Sequence, residues 1–358
     1  MSVEIWPPIS PDELKIQEDA TQARELTWLL TTLRSTLTQL KAGLEDCSAL
    51  LSPRDDETGS TLALTTPRNE TVKGHTTRIG TRLVRGLIHL KLRTVPPQTL
   101  ALDPARPVRV AALARLDALL ASSVGICAGL EERAAAGTPS AAHLAAQLRL
   151  LARHIAEGVA LVKGPRPAGS RPPSARPTTA SSGTSTNLNL NPNPNPRSQL
   201  SAEQQKQQVP DLSWTTSSIS LSHFAPPLSR NLSVYLTIQD ASLVLYLRAL
   251  EPADAPVNFG TKLALAIGTT RRLEHDEADR VFTYRCDDAT AIEGSESHPR
   301  PDERAEGKGA EVYVREKVCV ESADPSLLSL SAKLSALGNT LGLARRNLAA
   351  VMGEEVED

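Results

Sequence analysis

The stretch ELTWLLTTLRSTLTQLKAGLEDCSALL, residues Glu25–Leu51, decides the fold because its apolar residues recur at alternating steps of four and three. This is the spacing of a heptad repeat, which places the apolar residues on one face of an α-helix. We therefore predict a helix from about Asp19 to Leu51, ended by Pro53. Its apolar seam comprises Leu26, Leu30, Leu33, Leu37, Leu40, Leu44, Cys47 and Leu51.

A second stretch with the same spacing lies at the other end of the chain. Residues 326–352, SLLSLSAKLSALGNTLGLARRNLAAVM, follow Asp324 and Pro325, which are typical of the start of a helix. Gly338 and Gly342 lie close to the seam and permit a neighbouring helix to approach. The seam comprises Leu327, Leu330, Leu334, Leu337, Leu341, Ala344, Leu348 and Val351.

The flanks of the first seam argue against a parallel homodimer. With Leu26 and Leu30 as one repeat of the seam, a specific dimer is expected to pair opposite charges across the residues that precede and follow each repeat. The residues at those positions are neutral or acidic: Glu25, Thr31, Thr32, Thr38, Gln39, Glu45 and Asp46. We therefore predict an antiparallel helical bundle that pairs the N-terminal helix (1–53) with the C-terminal helix (323–358). A self-associating coiled coil is the alternative.

Two further helices fit between these ends, in residues 96–163. The first is predicted from Val108 to about Ala135. The next has Thr138 as its N-cap and Pro139 at its first position, and its apolar stripe runs from Leu144 to Val162. Because the break between them is short, they should fold back on each other as a helical hairpin of the bundle.

The remaining ordered segments have the alternation of strands. The first β segment, 54–95, contains runs at 62–66, 71–79 and 83–92. The second, 211–322, contains runs at 232–238, 243–250, 262–267, 280–286 and 312–320, with a charged loop at 287–310. We predict a mainly antiparallel β lobe, so that the fold class is α+β. The Pro-, Ser- and Asn-rich residues 164–210 have the composition of a disordered linker.

The composition of the chain limits the classes of partner and the cellular locations that we expect for it. The formal net charge is -2 and aromatic residues make up 3% of the chain, which argues against a nucleic-acid partner. The four cysteines show no CxxC pairing, the N-terminus is unlike a signal peptide, and no run approaches the apolar length of a membrane span. These features predict a cytoplasmic protein that is at most peripheral to a membrane.

Motifs of catalysis or cofactor binding are missing from the sequence. It contains no GxxxxGK[ST], GxGxxG, GxSxG or HExxH, and its seven histidines have no metal-ligand spacing. We therefore predict no catalytic, cofactor-binding or metal-binding residues and no enzymatic activity.

One region carries an excess of positive charge. Between residues 68 and 93 Glu70 is the single acid, against seven bases: Arg68, Lys73, Arg78, Arg82, Arg85, Lys91 and Arg93. On one lobe these residues would form a basic face that binds an acidic protein surface or anionic lipid. Ordinary solvated strand edges are the alternative. If the face is functional, reversal of Arg78, Arg82 and Arg85 to Glu should weaken recruitment without unfolding the chain.

Short runs in both halves resemble, in the same order, sequences of the Rogdi family, which includes fungal subunit 2 of the RAVE complex. They are Glu25-Leu26-Thr27-Trp28-Leu29-Leu30, Val72-Lys73-Gly74, Ile88-His89-Leu90-Lys91-Leu92, Val234-Tyr235-Leu236-Thr237-Ile238, Tyr246-Leu247-Arg248-Ala249-Leu250-Glu251-Pro252 and Asn258-Phe259. The linker and the charged loop are longer than in shorter family members, so neither acquires a function from the resemblance.

The resemblance implies a function that the residues alone do not. It implies a non-enzymatic adaptor in the complex that regulates assembly of the vacuolar and endosomal proton-pumping ATPase, and so vacuolar acidification. The implied partners are a large WD-repeat RAVE subunit and subunits of the peripheral sector of the ATPase. The implied location is cytoplasmic, with peripheral association to vacuolar or endosomal membrane. No residue is implied to be catalytic.

Overall fold

The computed structural model describes residues 9–53, 59–67, 70–136, 140–165, 212–253, 275–278, 280–285 and 309–353. Within these ranges the long helices are α1 (Pro11–Leu51), α2 (Ala111–Ala136), α3 (Ala141–Lys163) and, after the short α4 (Trp214–Ser217), α5 (Pro325–Met352). The strands between them form two antiparallel sheets. The α+β class predicted from the sequence is confirmed.

The four long helices close into one bundle. α1 contacts α2 and α5, and α3 contacts the same two helices, so the predicted pairing of the N- and C-terminal helices is confirmed. Burial of each leucine side chain stabilises the fold by about 1.5–3 kcal/mol relative to leaving it exposed. The buried seam residues are Leu33, Leu37, Leu40, Leu44, Cys47 and Leu51 on α1 and Leu327, Leu330, Leu334, Leu341 and Leu348 on α5; Leu26, Leu30 and Leu337 are half-buried against them.

The covered seam bears on the alternative of a coiled-coil homodimer. Because α2 and α5 already cover the seam of α1, a dimer through this seam would require the bundle to open. Gly43 on α1 lies directly against α5: a Cβ there would lie 2.6 Å from Cδ2 of Leu337.

α1 begins at Pro11 rather than near Asp19. The side chain of Ser10 caps it by accepting a hydrogen bond from the backbone N–H of Glu13 at 3.2 Å. The leucine seam starts only at Leu26, so the leucine spacing that predicted the helix does not mark its first turns.

Antiparallel pairing orders the first sheet as β1 (Ser60–Thr65), β2 (Val72–Ile79), β3 (Arg82–Leu90) and β4 (Gln98–Ala101), and β5 (Val108–Arg109) also pairs with β3. α2 starts at Ala111, after β5, rather than at Val108. One face of the sheet packs into the core through Leu62, Leu64, Val72, Ile88, Leu90 and Leu100. The side chains on the other face are exposed.

The second sheet has the order β6 (Leu232–Gln239), β7 (Ser242–Pro252), β9 (Ala310–Ala323) and β8 (Val281–Tyr284). One face of the sheet joins the main core. On the other face, Phe282 and Tyr284 of β8 pack against Trp214 of α4. The predicted strand at 262–267, most of the charged loop and most of the linker lie outside the described residues.

The end of α3 is fixed to the turn between β6 and β7. The backbone N–H groups of Asp240 and Ala241 donate to the carbonyls of Lys163 and Val162, each at 2.9 Å. Gly164 ends the helix with φ 66°, and a Cβ at this position would lie 1.9 Å from the carbonyl oxygen of Ile238. Glycine is therefore required at position 164.

Two further predictions about the helices need correction. α3 begins at Ala141, with Ser140 rather than Thr138 before its first residue. The segment Ala111–Arg133 in α2 is apolar and long enough to cross a membrane, although no such run was predicted. About a third of its most apolar window is buried in the bundle, including Leu113, Leu116 and Leu120, and one such helix is weak evidence of a membrane span.

Candidate interaction site

The outer face of the five-stranded sheet carries three exposed cations, Lys73, Arg85 and Lys91. Lys73 on β2 lies opposite His89 on β3, and Arg85 lies opposite Thr77. Lys91 continues the alternation of β3, and its backbone N–H bonds to the carbonyl of Thr71. We call this surface the outer sheet face.

The cations of the outer sheet face have no acidic neighbours on the sheet. Strands β1–β5 contain no Asp or Glu, and Glu70 lies in the connection between β1 and β2. No ion pair among the described residues involves Lys73, Arg85 or Lys91. Their positive charge is therefore directed into solvent without local compensation.

Two histidines share this face, and sequence reasoning did not place them there. His75 lies opposite Leu87, and His89 lies opposite both Lys73 and Thr99. The Nδ1 of His89 is 2.8 Å from Oγ1 of Thr99. The alternation of strand residues was enough to find them, because both have the same parity as Lys73 and Arg85 on their strands.

The other predicted members of the basic face are scattered. Arg82 is exposed at the start of β3, where it lies opposite Arg109 of β5. Arg93 is exposed in the connection after β3, and its backbone N–H donates to Oε2 of Glu316 at 2.8 Å. Arg68 lies outside the described residues.

Arg78 is not part of the basic face. It is 3% exposed and its Nε donates to Oδ2 of Asp324 at 2.7 Å. Its other nitrogens donate to the carbonyls of Leu51 and Gly80 and to Oγ of Ser326. Reversing Arg78 would leave Asp324 buried beside a second negative charge, so the expectation that this reversal spares the fold is wrong.

The Arg78 cluster joins three elements at one point. Asp324 is the N-cap of α5, and its Oδ1 accepts from the N–H of Ser326 at 3.0 Å, while Leu51 ends α1. Burial by itself would raise the pKa of Asp324, but the hydrogen bonds from Arg78 and Ser326 outweigh it and lower the pKa below its ordinary value. The cluster thus holds β2 to the ends of two bundle helices.

A second buried ion pair lies in the four-stranded sheet. Arg248 binds both carboxylate oxygens of Glu277, at 2.7 and 2.8 Å, and its guanidinium lies 4.5 Å from the centre of the Trp214 ring. Lys317 lies 2.7 Å from the same carboxylate. Burial would raise the pKa of Glu277, but the two cations lower it. The carboxylate is thus paired with two cations, as in a structural cluster, while Nη1 of Arg248 is buried without a hydrogen-bond partner among the described residues.

The described residues offer no arrangement for metal binding, since they contain no group of three or more His, Cys, Asp or Glu side chains placed to hold an ion. Burial raises the pKa of both Cys47 and Cys127 to about 11, so neither is a thiolate at neutral pH.

Leucine-repeat helices from both ends of the chain, closed into one bundle beside antiparallel sheets, define an α+β protein with an internal zipper-like seam. A family model described as Rogdi leucine zipper containing protein matches residues 25–349. The chain belongs to the Rogdi leucine-zipper family. A comparison with curated proteins found no match.

Proposed function

We propose that the chain is a non-enzymatic adaptor subunit of a RAVE-type complex, which regulates assembly of the vacuolar and endosomal proton-pumping ATPase. The observation that carries this proposal is the family match, which extends over nearly the whole chain. The protonated buried thiols and the structural use of both buried ion pairs agree with a role that depends on contacts rather than on catalysis.

The partners follow from the same proposal. A large WD-repeat subunit would bind the chain directly, and subunits of the peripheral sector of the ATPase would be bound in the assembled complex. The uncompensated cations of the outer sheet face favour an acidic protein surface as their ligand; anionic lipid of the vacuolar membrane is the alternative. The chain would then act in the cytoplasm, at the surface of the vacuole or endosome.

Co-purification combined with acidification measurements tests the proposal. Tagged protein should recover a large WD-repeat partner, and vacuoles of cells lacking the chain should be less acidic than those of the parent strain. Complementation with the intact gene is the control. Normal acidification together with no WD-repeat partner would show the proposal to be wrong.

The alternative function is that of a self-associating coiled-coil scaffold. Light scattering distinguishes the two, because the adaptor is expected to have a monomer mass that does not change with concentration. A dimer that forms without loss of the buried α1–α5 contact would favour the scaffold, through a surface other than the seam.

A further inference from the structure

α1 extends well beyond the bundle that its second half helps to build. Every residue from 9 to 25 is exposed. The side-chain amide of Gln22 donates to the carbonyl of Val351 at 3.0 Å, next to the end of α5. The turns of α1 that precede this contact therefore project past the C-terminal end of α5.

The projecting part has an apolar stripe of its own. Ile16, Ala20, Ala23, Thr27 and Leu30 follow the same four-three spacing as the seam, and Ile9 lies just before the start of the helix. At 100° per residue the centre of this stripe lies about 90° around the helix from the centre of the seam, and Leu30 belongs to both. We call it the α1 outer stripe.

The α1 outer stripe is open to solvent where most apolar side chains of the bundle are covered. Ile9 is 51% exposed, Ile16 67% and the bordering Trp28 69%. A shallow hollow of about 460 Å³ lies beside it, lined by Ala23, Arg24, Thr27, Trp28 and Thr31. At its C-terminal end the stripe reaches Leu30, which packs against the core. The stripe is thus continuous with the buried face of the bundle.

Charge around the stripe has the sign opposite to that of the outer sheet face. The projecting part carries five acids, Asp12, Glu13, Glu18, Asp19 and Glu25, against two bases, Lys15 and Arg24. By helical position Asp12 and Asp19 border one side of the stripe, and Glu13 and Arg24 border the other, so the acids are in excess but not alone. A ligand with basic flanks would be attracted here, while a second α1 would meet like charges.

We propose that the α1 outer stripe is a docking surface for an α-helix of a partner protein, apolar on one face with Lys or Arg on both sides. The heptad spacing selects a helix as the occupant, and the acidic flanks select its charge. The proposal does not depend on the adaptor function, and it gives the chain two surfaces that select partners of opposite charge.

A synthetic helix tests the stripe directly. The probe has Leu at positions a and d and Lys at e and g, whose mutual repulsion keeps it from pairing with itself. Intact protein should bind this probe, should bind a scrambled peptide of the same composition at least about tenfold more weakly, and should not bind a version with Glu flanks.

Charge-matched variants distinguish binding at the stripe from non-specific electrostatic attraction of the probe to the protein. Ile16→Asp with Thr27→Asp places two charges in the stripe and should weaken probe binding at least about tenfold. Thr21→Asp with Thr32→Asp adds the same charges at exposed positions off the stripe and should leave binding unchanged or slightly tighter. Circular dichroism should show the same helix content for both variants, because neither pair lies in the seam.

Three outcomes would overturn the proposal. Equal weakening by both double variants would show that attraction is not specific to the stripe. Equal binding of the heptad and scrambled peptides would show that no helix is recognised. A dimer of the intact chain that is lost in the Ile16→Asp, Thr27→Asp variant would identify the occupant as a second copy.

Discussion

At the scale of single residues, the Arg78–Asp324 pair shows how a charged residue, of a type usually exposed, can be buried and hold the fold together. Lys73 and Arg78 lie on the same strand, but an odd number of positions apart, so they point to opposite faces of the sheet. Lys73 meets solvent, whereas Arg78 meets the cap of α5 and the end of α1. The charge of Arg78 is used inside the fold.

Removing Arg78 should therefore cost more than removing any cation of the outer sheet face. Arg78→Ala leaves Asp324 buried without its partner and should lower the free energy of unfolding by about 3–5 kcal/mol. Lys73→Ala, on the same strand, should change it by less than about 0.5 kcal/mol. Urea unfolding measures both, and similar losses for the two variants would contradict the structural role.

The pKa of Asp324 predicts a dependence on pH. Because this pKa is lower in the folded chain than its usual value of about 3.9, the unfolded chain binds more protons there, and stability rises with pH. The contribution is fully present above the unfolded pKa and is lost as the pH falls toward the folded pKa.

Unfolding free energies between about pH 6 and pH 3 should fall more steeply for the intact chain than for Asp324→Asn. Ser326→Ala, which removes one hydrogen bond to the carboxylate, should give an intermediate slope and serves if the first variant does not fold. Parallel curves for all three proteins would be inconsistent with a lowered pKa at Asp324.

Gly164 gives a third prediction at this scale. Gly164→Ala should destabilise by more than about 1 kcal/mol, because φ is positive and the new Cβ would collide with the Ile238 carbonyl. Gly129→Ala in α2 is the control: nothing lies within 4 Å of that Cβ, so helix propensity should make it neutral or stabilising by up to about 1 kcal/mol. Thermal unfolding compares the two, and equal effects would contradict the close approach.

At the scale of elements, the outer sheet face is produced by strand alternation. β2 and β3 place Val72, Ile88 and Leu90 toward the core, which leaves the intervening cations and histidines outside. Lys73, His75, Arg85 and His89 on this face are all exposed. The same strands thus supply core on one side and a charged surface on the other.

The outer sheet face should be separable from stability by mutation. Lys73→Glu, Arg85→Glu and Lys91→Glu together should weaken binding to the WD-repeat partner or to anionic vesicles at least about tenfold, since three attractions become repulsions. The matched control, Arg149→Glu, Arg153→Glu and Arg346→Glu, makes the same change in net charge at exposed helix positions.

Pull-down and vesicle flotation read out the two classes of ligand for these variants. Loss in the pull-down alone identifies protein, and loss in flotation alone identifies lipid. If the sheet variant and its control behave like the intact chain in both measurements, the outer sheet face has no role in recruitment.

At the scale of the whole molecule, one core connects the bundle to both sheets. Buried residues of all four long helices, of the inner face of the first sheet and of β6 and β7 form one cluster. Trp214 lies in a smaller cluster on the far side of the second sheet. The N-terminal and C-terminal helices meet in the bundle, so the bundle cannot form without both ends of the chain.

This continuity predicts a single cooperative unfolding transition. Helix content by circular dichroism and burial of Trp214 by fluorescence should have the same urea midpoint, because the bundle and the second sheet share their core. Trp28 is exposed in the folded chain and therefore contributes little to the fluorescence change on unfolding. Trp28→Phe should leave both midpoints unaltered. Separate midpoints would show that the second sheet unfolds independently.

Sequence alone determined the long helices, most of the strands and the class, whereas β4, β5 and α4 were not predicted. The heptad seams of α1 and α5 and the alternation of β2, β3, β6 and β7 depend on neighbours a few residues away, which the sequence displays directly. The resemblance of short collinear runs likewise led to the family. The first turns of α1 were missed because the leucine seam begins only at Leu26, although Ser10 and Pro11 are typical of a helix start.

Only the tertiary structure decided what each surface contacts. Whether a seam meets another helix of the same chain or a second copy, and whether an arginine meets solvent or a buried carboxylate 246 residues away, depends on long-range contacts. Arg78 and Lys73 look alike in the sequence, and the position of Asp324 distinguishes them. Local pattern fixes which residues share a face, whereas packing between distant segments fixes what that face touches.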